Sequence, residues 1–334
     1  MGIPLLQYAA HLCAAKDEQP AAAGNQRGIE RMAEIFEVRI KSGESLKGWH
    51  WPAEEPVTNL TIITGMNEYA LRYAPFAEWM NSHHINVWCL DAFGQGLNAP
   101  SVKLLERWPE GAFDKTVKAL YQMVRLADAN GLPTFLMGHS MGSFMVQAFL
   151  EKYPRSTSGI ILCGSNGGQR SLMKTGYNIA KSIVLDHNWY EANPTLQNLG
   201  MGGFAKAVKD RETDFDWLSY NRENVQAYID DPYCGQENTG GFWKEFLKGL
   251  SRIWENGEMM KISGREKIFI ISGQDDPVGR MGKGPVWLWR KYRSLGSTGA
   301  ILKLYPNMRH EILNETDKEI VYKDILCFIQ PRYR

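Results

Sequence analysis

Eight short runs rich in branched and aromatic residues recur along this chain, and most of the gaps between them read as helix. The runs are residues 35–40, 45–51, 59–64, 86–91, 133–138, 159–164, 267–272 and 300–306. The first two flank a Lys41-Ser42-Gly43-Glu44 turn and read as a hairpin. The buried-strand runs that follow, such as "NLTIIT" and "KIFIIS", are nearly continuous apolar stretches, which fits strands covered on both faces. Residues 72–83 and 113–130 carry helical periodicity. Strands alternating with helices predict a mostly parallel sheet of eight strands flanked by helices, an α/β fold.

The alternation stops over residues 165–265. That stretch holds many large rings, including Trp189, Tyr190, Phe204, Trp217, Phe242 and Trp243, and no convincing strand. It reads as a helical insertion over the sheet, with most of its aromatics making its own core and some facing the sheet to line an acyl tunnel. The organisation is therefore a core of residues 31–164 and 266–334, an inserted helical cap at 165–265, and a peripheral segment at 1–30. A chain of 334 residues suits one α/β domain with an insertion.

Composition narrows the function classes. Net charge is +1, which excludes strong attraction to nucleic acid, and no nucleic-acid motif occurs. The five cysteines Cys13, Cys89, Cys163, Cys234 and Cys327 are scattered and form no CxxC. They read as buried small hydrophobes in a reducing, cytoplasmic setting, not a metal or disulfide framework. No stretch is long and apolar enough to span a bilayer. The mildly apolar start, "MGIPLLQYAAHLCAA", lacks a basic leader and fits neither a signal peptide nor a myristoylation pattern. It reads as docked on the body or unstructured, with peripheral membrane contact as the alternative. His83 and His84 are adjacent at a helix end without an acidic cluster, so they read as surface or capping residues, and no metal is expected.

"FLMGHSMGSFMVQAFL" (residues 135–150) carries the chemistry. Gly138 and Gly142 bracket Ser140, two residues away on each side, between a strand and a helix. A glycine inside either element costs roughly 1 kcal/mol against alanine, so the spacing asks for a turn that tolerates only small neighbours. G-x-S-x-G in this setting reads as a nucleophile elbow, with the serine on a sharp strand-to-helix turn. A serine hydroxyl needs a base, and the base needs an orienting acid, in the order Ser, acid, His. Of seven histidines only His310 lies beyond the late strand 267–272, in "YPNMRHEILNE". The acid lies in "ISGQDDPVG", where Asp275 and Asp276 are adjacent and point apart; Pro277 biases Asp276 toward an extended backbone. Oxyanion donors are expected from the backbone N–H of Met141, next after the serine, and from the loop Gly65-Met66-Asn67, with Met66 the choice.

Together these residues resemble the α/β-hydrolase superfamily, and within it the branch of monoacylglycerol lipases and lysophospholipases that also contains serine aminopeptidase-like hydrolases. The pieces that carry the resemblance are "GMNEYALRYAPFAEWM", "NVWCLDAFGQGLNAP", "GHSMGSFMVQAFLEKYP", "WLSYNRENVQAYIDDPYCG", "ISGQDDPVG" and "LKLYPNMRHEILNE", spanning the chain from about Glu37 to its end. The resemblance implies an α/β-hydrolase fold with a cap, a strand-end G-x-x-D that selects Asp276, and a triad of Ser140, Asp276 and His310. It implies oxyanion donors at Met66 and Met141, no cofactor, and a small acyl ester or single-chain lipid as substrate. The chain departs from the family in having Thr64-Gly65 for the usual His-Gly, and Gln95 for the histidine of Asp-x-x-Gly-His-Gly. A small-ester carboxylesterase or an aminopeptidase would use the same triad. A catalytically silent binding protein on this fold is the reading from another class, and the intact triad order argues against it.

Overall fold

The computed structural model describes residues 33–330 except 42 and 263. The peripheral segment 1–30, with Cys13 and the question of its docking, lies outside the described residues. Eight strands form one sheet: β1 (Glu34–Arg39), β2 (Ser45–Trp51), β3 (Thr58–Ile63), β4 (Ile85–Leu90), β5 (Thr134–His139), β6 (Gly159–Cys163), β7 (Ile268–Gly273) and β8 (Ala300–Tyr305). Their spatial order is β1-β2-β4-β3-β5-β6-β7-β8. The β1–β2 and β2–β4 pairs are antiparallel and every other pair is parallel. Burial follows this division. β1 alternates exposed and buried residues as an edge hairpin strand, whereas β3, β5, β6 and β7 are buried at every position.

Five helices cover the two faces. They are α1 (Ala74–Asn81), α2 (Ala112–Ala127), α3 (Met141–Lys152), α10 (Lys283–Ser294) and α11 (Lys318–Ile329). In α2, Phe113, Val117, Leu120 and Val124 recur at helical spacing and are buried, and the chain turns off beyond it at Gly131, in the left-handed conformation with φ 76°. One apolar core joins α2, α3 and α10 to the sheet through residues such as Phe149 and Leu288. A second joins α1 and α11 to the opposite face through Phe76 and Tyr322.

Between β6 and β7 the chain leaves the sheet and forms α4 (Arg170–Ile183), α5 (Pro194–Met201), α6 (Phe204–Ala207), α7 (Arg222–Asp230), α8 (Gly240–Leu250) and α9 (Asn256–Met259). No strand is present there among the described residues, only an isolated bridge between Ala192 and Thr239. Side chains cap three of these helices: Asn193 accepts from Leu196 N–H, Asn221 from Glu223 N–H and Thr239 from Phe242 N–H. α8 packs on the core through Phe242, whose ring centroid lies 4.6 Å from that of the buried Trp108. Loops at the carboxyl ends of β3, β5, β6, β7 and β8 lie on one edge of the sheet, where open α/β sheets place their ligands.

Candidate active site

Ser140 stands between the end of β5 and the start of α3 with φ 50° and ψ −119°, a conformation rarely adopted by a residue with a Cβ. The flanking glycines explain the motif's spacing. A Cβ at Gly138 would lie 2.5 Å from the carbonyl oxygen of Gly142, and one at Gly142 would lie 2.5 Å from the carbonyl oxygens of both Ile63 and Thr64. The turn therefore presses its own two ends together and lies directly on the end of β3. Ser140 is half-buried and faces a cavity of about 380 Å³.

His310, in the loop after β8, lines the same cavity and is 1% exposed. Its Nδ1 lies 3.0 Å from Oδ2 of Asp276, in the loop after β7. Asp276 is fully buried; its Oδ1 accepts the N–H of Val278 at 2.8 Å and its Oδ2 lies 3.3 Å from Ser272 Oγ. Asp275 turns outward and accepts from the Tyr220 hydroxyl at 3.1 Å. Adjacent residues thus face opposite ways, and Asp276 is the one brought against His310. No hydrogen bond joins Ser140 Oγ to His310 among the described residues, and such contacts often close only with substrate in place. Met66 and Met141 both line the cavity. Met141 is the first residue of α3, where helix geometry leaves the N–H without an intrahelical acceptor.

Beneath these residues lies a cluster of buried charge not singled out in the sequence. His139, inside the G-x-S-x-G motif, places Nδ1 2.9 Å from Glu68 Oε1. The same oxygen accepts from the Gly65 N–H at 2.5 Å and the Tyr73 hydroxyl at 2.8 Å. Arg72 donates to Glu68 Oε2 at 3.0 Å and to both oxygens of Glu311 at 2.7 and 2.8 Å. Glu311 also accepts from Asn224 of α7. One network therefore touches the Met66 loop, the elbow and the His310 loop. Burial disfavours charge on all of these groups, but proximity outweighs it. Arg72 brings Glu311 down to about 2, the His139 charge holds Glu68 below the usual carboxylate range, and Glu68 raises His139. Glu68 and Arg72 stand four apart, a spacing that pairs charges on one helical turn, and this is the signal the sequence offered. Glu311 is 239 residues from Arg72 and gave none.

The two departures from the family pattern touch each other. Thr64 Oγ1 donates to Gln95 Oε1 at 3.1 Å, and Gln95 Nε2 donates to the carbonyl of Gly65 at 3.1 Å and to Glu106 Oε1 at 3.3 Å. Glu106 is fully enclosed, and its Oε2 has no hydrogen-bond partner among the described residues. Burial pushes its carboxyl up to about 8, against weaker lowering by Gln95 and Asn67. From the insertion, Gln236 and Asn238 hold Asn67, and Asn238 Nδ2 reaches the Met66 sulfur at 3.3 Å.

The rest of the cavity wall is mostly apolar. Some of the six rings named in the insertion are expected to face the site, and Phe204, Trp217 and Trp243 line it. Trp189, Tyr190 and Phe242 do not: Trp189 donates to the Trp108 carbonyl, Tyr190 is exposed beside Arg107, and Phe242 is core. Leucine, isoleucine and methionine side chains complete the wall, among them Leu172, Ile179 and Leu199. Among the described residues no His, Cys, Asp and Glu group could hold a metal. His83 stacks on Trp79 and His84 meets the Glu54 carbonyl. Cys89, Cys163 and Cys234 are buried and Cys327 partly so, with no disulfide among them. No described helix is long and apolar enough to cross a membrane.

The family model for serine aminopeptidase, S33, matches residues 54–317. Phospholipase YtpA of Bacillus subtilis is 26% identical over 284 residues, covering 84% of this chain and 98% of the relative. A monoacylglycerol lipase of Mycolicibacterium smegmatis is 23% identical over 282 residues, covering 83% and 90%. Among solved structures, a thermostable carboxyl esterase from Bacillus coagulans superposes with a TM-score of 0.81 at 22% identity, covering 89% of this chain and 97% of that one. A monoglyceride lipase from Saccharomyces cerevisiae gives 0.66 at 19% identity, covering 94% and 99%. With the strand order, the elbow and the family match in agreement, the chain belongs to the serine aminopeptidase S33 family and is a lipase/esterase-type α/β-hydrolase.

Proposed function

We propose that this chain is a serine hydrolase that cleaves the ester of a single-chain acyl lipid, a monoacylglycerol or a lysophospholipid, through an acyl-enzyme on Ser140. The observation that carries the reading is that Ser140 and His310, the latter bonded to the buried Asp276, line one largely apolar cavity. Its 380 Å³ lies within the range of small-molecule sites. Ser140 Oγ attacks the ester carbonyl while His310 takes its proton. Asp276, bonded to Nδ1, holds the tautomer that leaves Nε2 free to accept and stabilises the imidazolium. The N–H groups of Met66 and Met141 receive the oxyanion. The tetrahedral intermediate collapses, His310 protonates the leaving alcohol, and water deprotonated by His310 then releases the fatty acid and restores Ser140. No cofactor enters these steps.

Residues 165–265 act in this reading as a cap that supplies the acyl wall. Leu172, Ile179 and Leu199 are exposed as well as wall-lining, and they support entry from a lipid surface by peripheral contact. Three buried, unlinked cysteines support a reducing, cytoplasmic setting.

The test is turnover of monoacylglycerol, lysophosphatidylcholine, p-nitrophenyl esters and an aminoacyl anilide by the wild type and by Ser140→Ala, with labelling by a fluorophosphonate. The expected result is ester turnover, a label on Ser140, and a loss of roughly 10⁶ in kcat in the variant, the scale of a removed nucleophile. A label on another serine, or unchanged turnover in Ser140→Ala, refutes the mechanism. Preference for the anilide or for acetyl esters moves the substrate to a peptide or a small ester.

A further inference from the structure

We infer that Arg280 is a headgroup-binding residue of this site, receiving a phosphate on the leaving-group side, so that the preferred ester is a phosphate-bearing single-chain lipid and not a neutral glyceride. The inference rests on the ester-hydrolase reading above and goes one step further, to the charge of the substrate.

The cavity wall is divided. The helices of the insertion contribute side chains such as Leu172, Leu199, Phe204 and Leu247, which suit a hydrocarbon chain. The loops after β6 and β7 contribute Asn166, Gln169 and Arg280. Arg280 is built into this polar corner. Its Nε donates to Asn166 Oδ1 at 3.2 Å and its Nη2 to the carbonyl of Gly167 at 2.8 Å, while Asn166 Nδ2 donates to Gln169 Oε1 at 3.0 Å. A guanidinium carries five N–H donors, and these bonds use two of them. The fork is held in place with donors to spare, which is the pre-organisation that suits a phosphate.

Ion pairing points the same way. On this wall Glu68 is paired with His139 and Arg72, Glu311 with Arg72, and His310 with Asp276. Arg280 has no carboxylate within ion-pair distance among the described residues. An anion on the substrate would give the guanidinium the direct partner that no protein carboxylate supplies. The backbone is also constrained: Arg280, Met281 and Gly282 hold φ of 54°, 52° and 79° in succession, which non-glycine residues adopt at a cost. The same loop carries Asp276, whose carbonyl accepts the Met281 N–H at 2.9 Å. The loop that orients His310 thus also presents the cation.

The test titrates decyl phosphate, decanol and inorganic phosphate into the full chain by calorimetry, below the micellar range, for the wild type, Arg280→Gln and Arg280→Lys. Decyl phosphate is expected to bind about ten- to a hundredfold more tightly than decanol, the scale of a charge-assisted hydrogen-bonded pair. That margin should shrink about tenfold in Arg280→Gln and be partly restored in Arg280→Lys. Equal binding of decyl phosphate and decanol, or an undiminished margin in Arg280→Gln, overturns the inference. Inorganic phosphate binding as tightly as decyl phosphate would make this a free-anion site and overturns the headgroup assignment. In turnover, the kcat/KM ratio of 1-decanoylglycerol 3-phosphate to 1-decanoylglycerol should fall in Arg280→Gln, mostly through KM. Equal losses on the two esters would mark a tie between loops and also overturn it. Should Arg280→Gln fail to fold, the wild-type margin and the Arg280→Lys margin decide. A binding margin without any ester turnover would sink the hydrolase reading and leave the anion site standing.

Discussion

Ser140 pairs a positive φ with a side chain, and the two glycines around it make that conformation possible by removing the atoms that would collide. The motif was legible because its spacing is local: Gly138 meets Gly142, and Gly142 meets the end of β3. A methyl at Gly142 would meet two main-chain oxygens at 2.5 Å, and neither can move without shifting β3 and the Met66 loop beyond it. Gly142→Ala is therefore expected to lose about 1–3 kcal/mol of stability, the range for overpacking, together with turnover. Denaturant unfolding beside kcat checks this, and an unchanged midpoint would show that the elbow relaxes freely. Asp276 was selected from its neighbour only through a family resemblance, since two adjacent acids before a proline look alike in sequence. The structure separates them by direction, inward to His310 and outward to Tyr220. Asp276→Asn is expected to lose about 10⁴ in kcat, the known scale for this substitution in a triad, and Asp275→Asn less than tenfold. The reverse ranking, read from the same assay, would assign the acid to Asp275.

At the scale of elements, the loop after β3 is held from three sides, and the long-range holds could not be read from the sequence. Glu68 bonds its Gly65 N–H, Gln95 its Gly65 carbonyl, and Gln236 and Asn238 its Asn67 side chain. Glu68 is only three residues from Gly65, but Gln95, Gln236 and Asn238 lie 30 or more residues from their partners, so only the fold reveals them. Burial gives the holds a pH dependence whose sign can be worked out. His139 is raised above its ordinary 6.5 by Glu68 against the cost of burial, so its contribution is complete below about pH 6.5 and fades as pH rises through the folded value. Glu311 is lowered from 4.5 to about 2, so its contribution is complete above 4.5 and fades as pH falls toward 2. Glu106 is an acid raised from 4.5 to about 8 by burial, so the folded state favours its neutral form: its contribution is complete below 4.5 and is lost as pH rises from there through about 8. These groups together place maximum stability near pH 4.5 to 5, where Glu311 is fully engaged and Glu106 has only begun to cost stability. Glu106→Gln keeps the neutral shape without the titration. Its melting temperature should match that of the wild type near pH 5 and exceed it by about 3 °C or more at pH 9, since each tenfold difference in proton affinity between the folded and unfolded chain is worth about 1.4 kcal/mol. A decline between pH 5 and 8 equally steep in both proteins would remove Glu106 as its cause.

Over the whole molecule, the sheet was legible and the cavity was not. All eight strands fall within a residue or so of their expected places, because the central strands, buried on both faces, write themselves as apolar runs bounded by turns and the first two as short runs about a hairpin turn. The insertion carries no such constraint. Its aromatics look alike in sequence whether they bury against the core, as Phe242 does, or line the cavity, as Trp243 does. Aliphatic residues of α4 and α5, such as Ile179 and Leu199, share that wall, which gives it a long apolar surface and few fixed partners for an ester. Such a wall selects by length. Each methylene buried contributes about 0.8 kcal/mol at most, or roughly fourfold in kcat/KM, until the cavity is filled. Activity on p-nitrophenyl esters from two to sixteen carbons should therefore climb over several carbons and then level off. Narrowing the wall tests the cause: Gly176→Leu on α4 adds bulk facing Leu247 and should move the plateau to shorter chains while sparing acetyl and butyryl esters. A maximum at the shortest ester in the wild type, or a plateau that stays in place in Gly176→Leu, would mean that the acyl chain lies elsewhere than between α4 and α8.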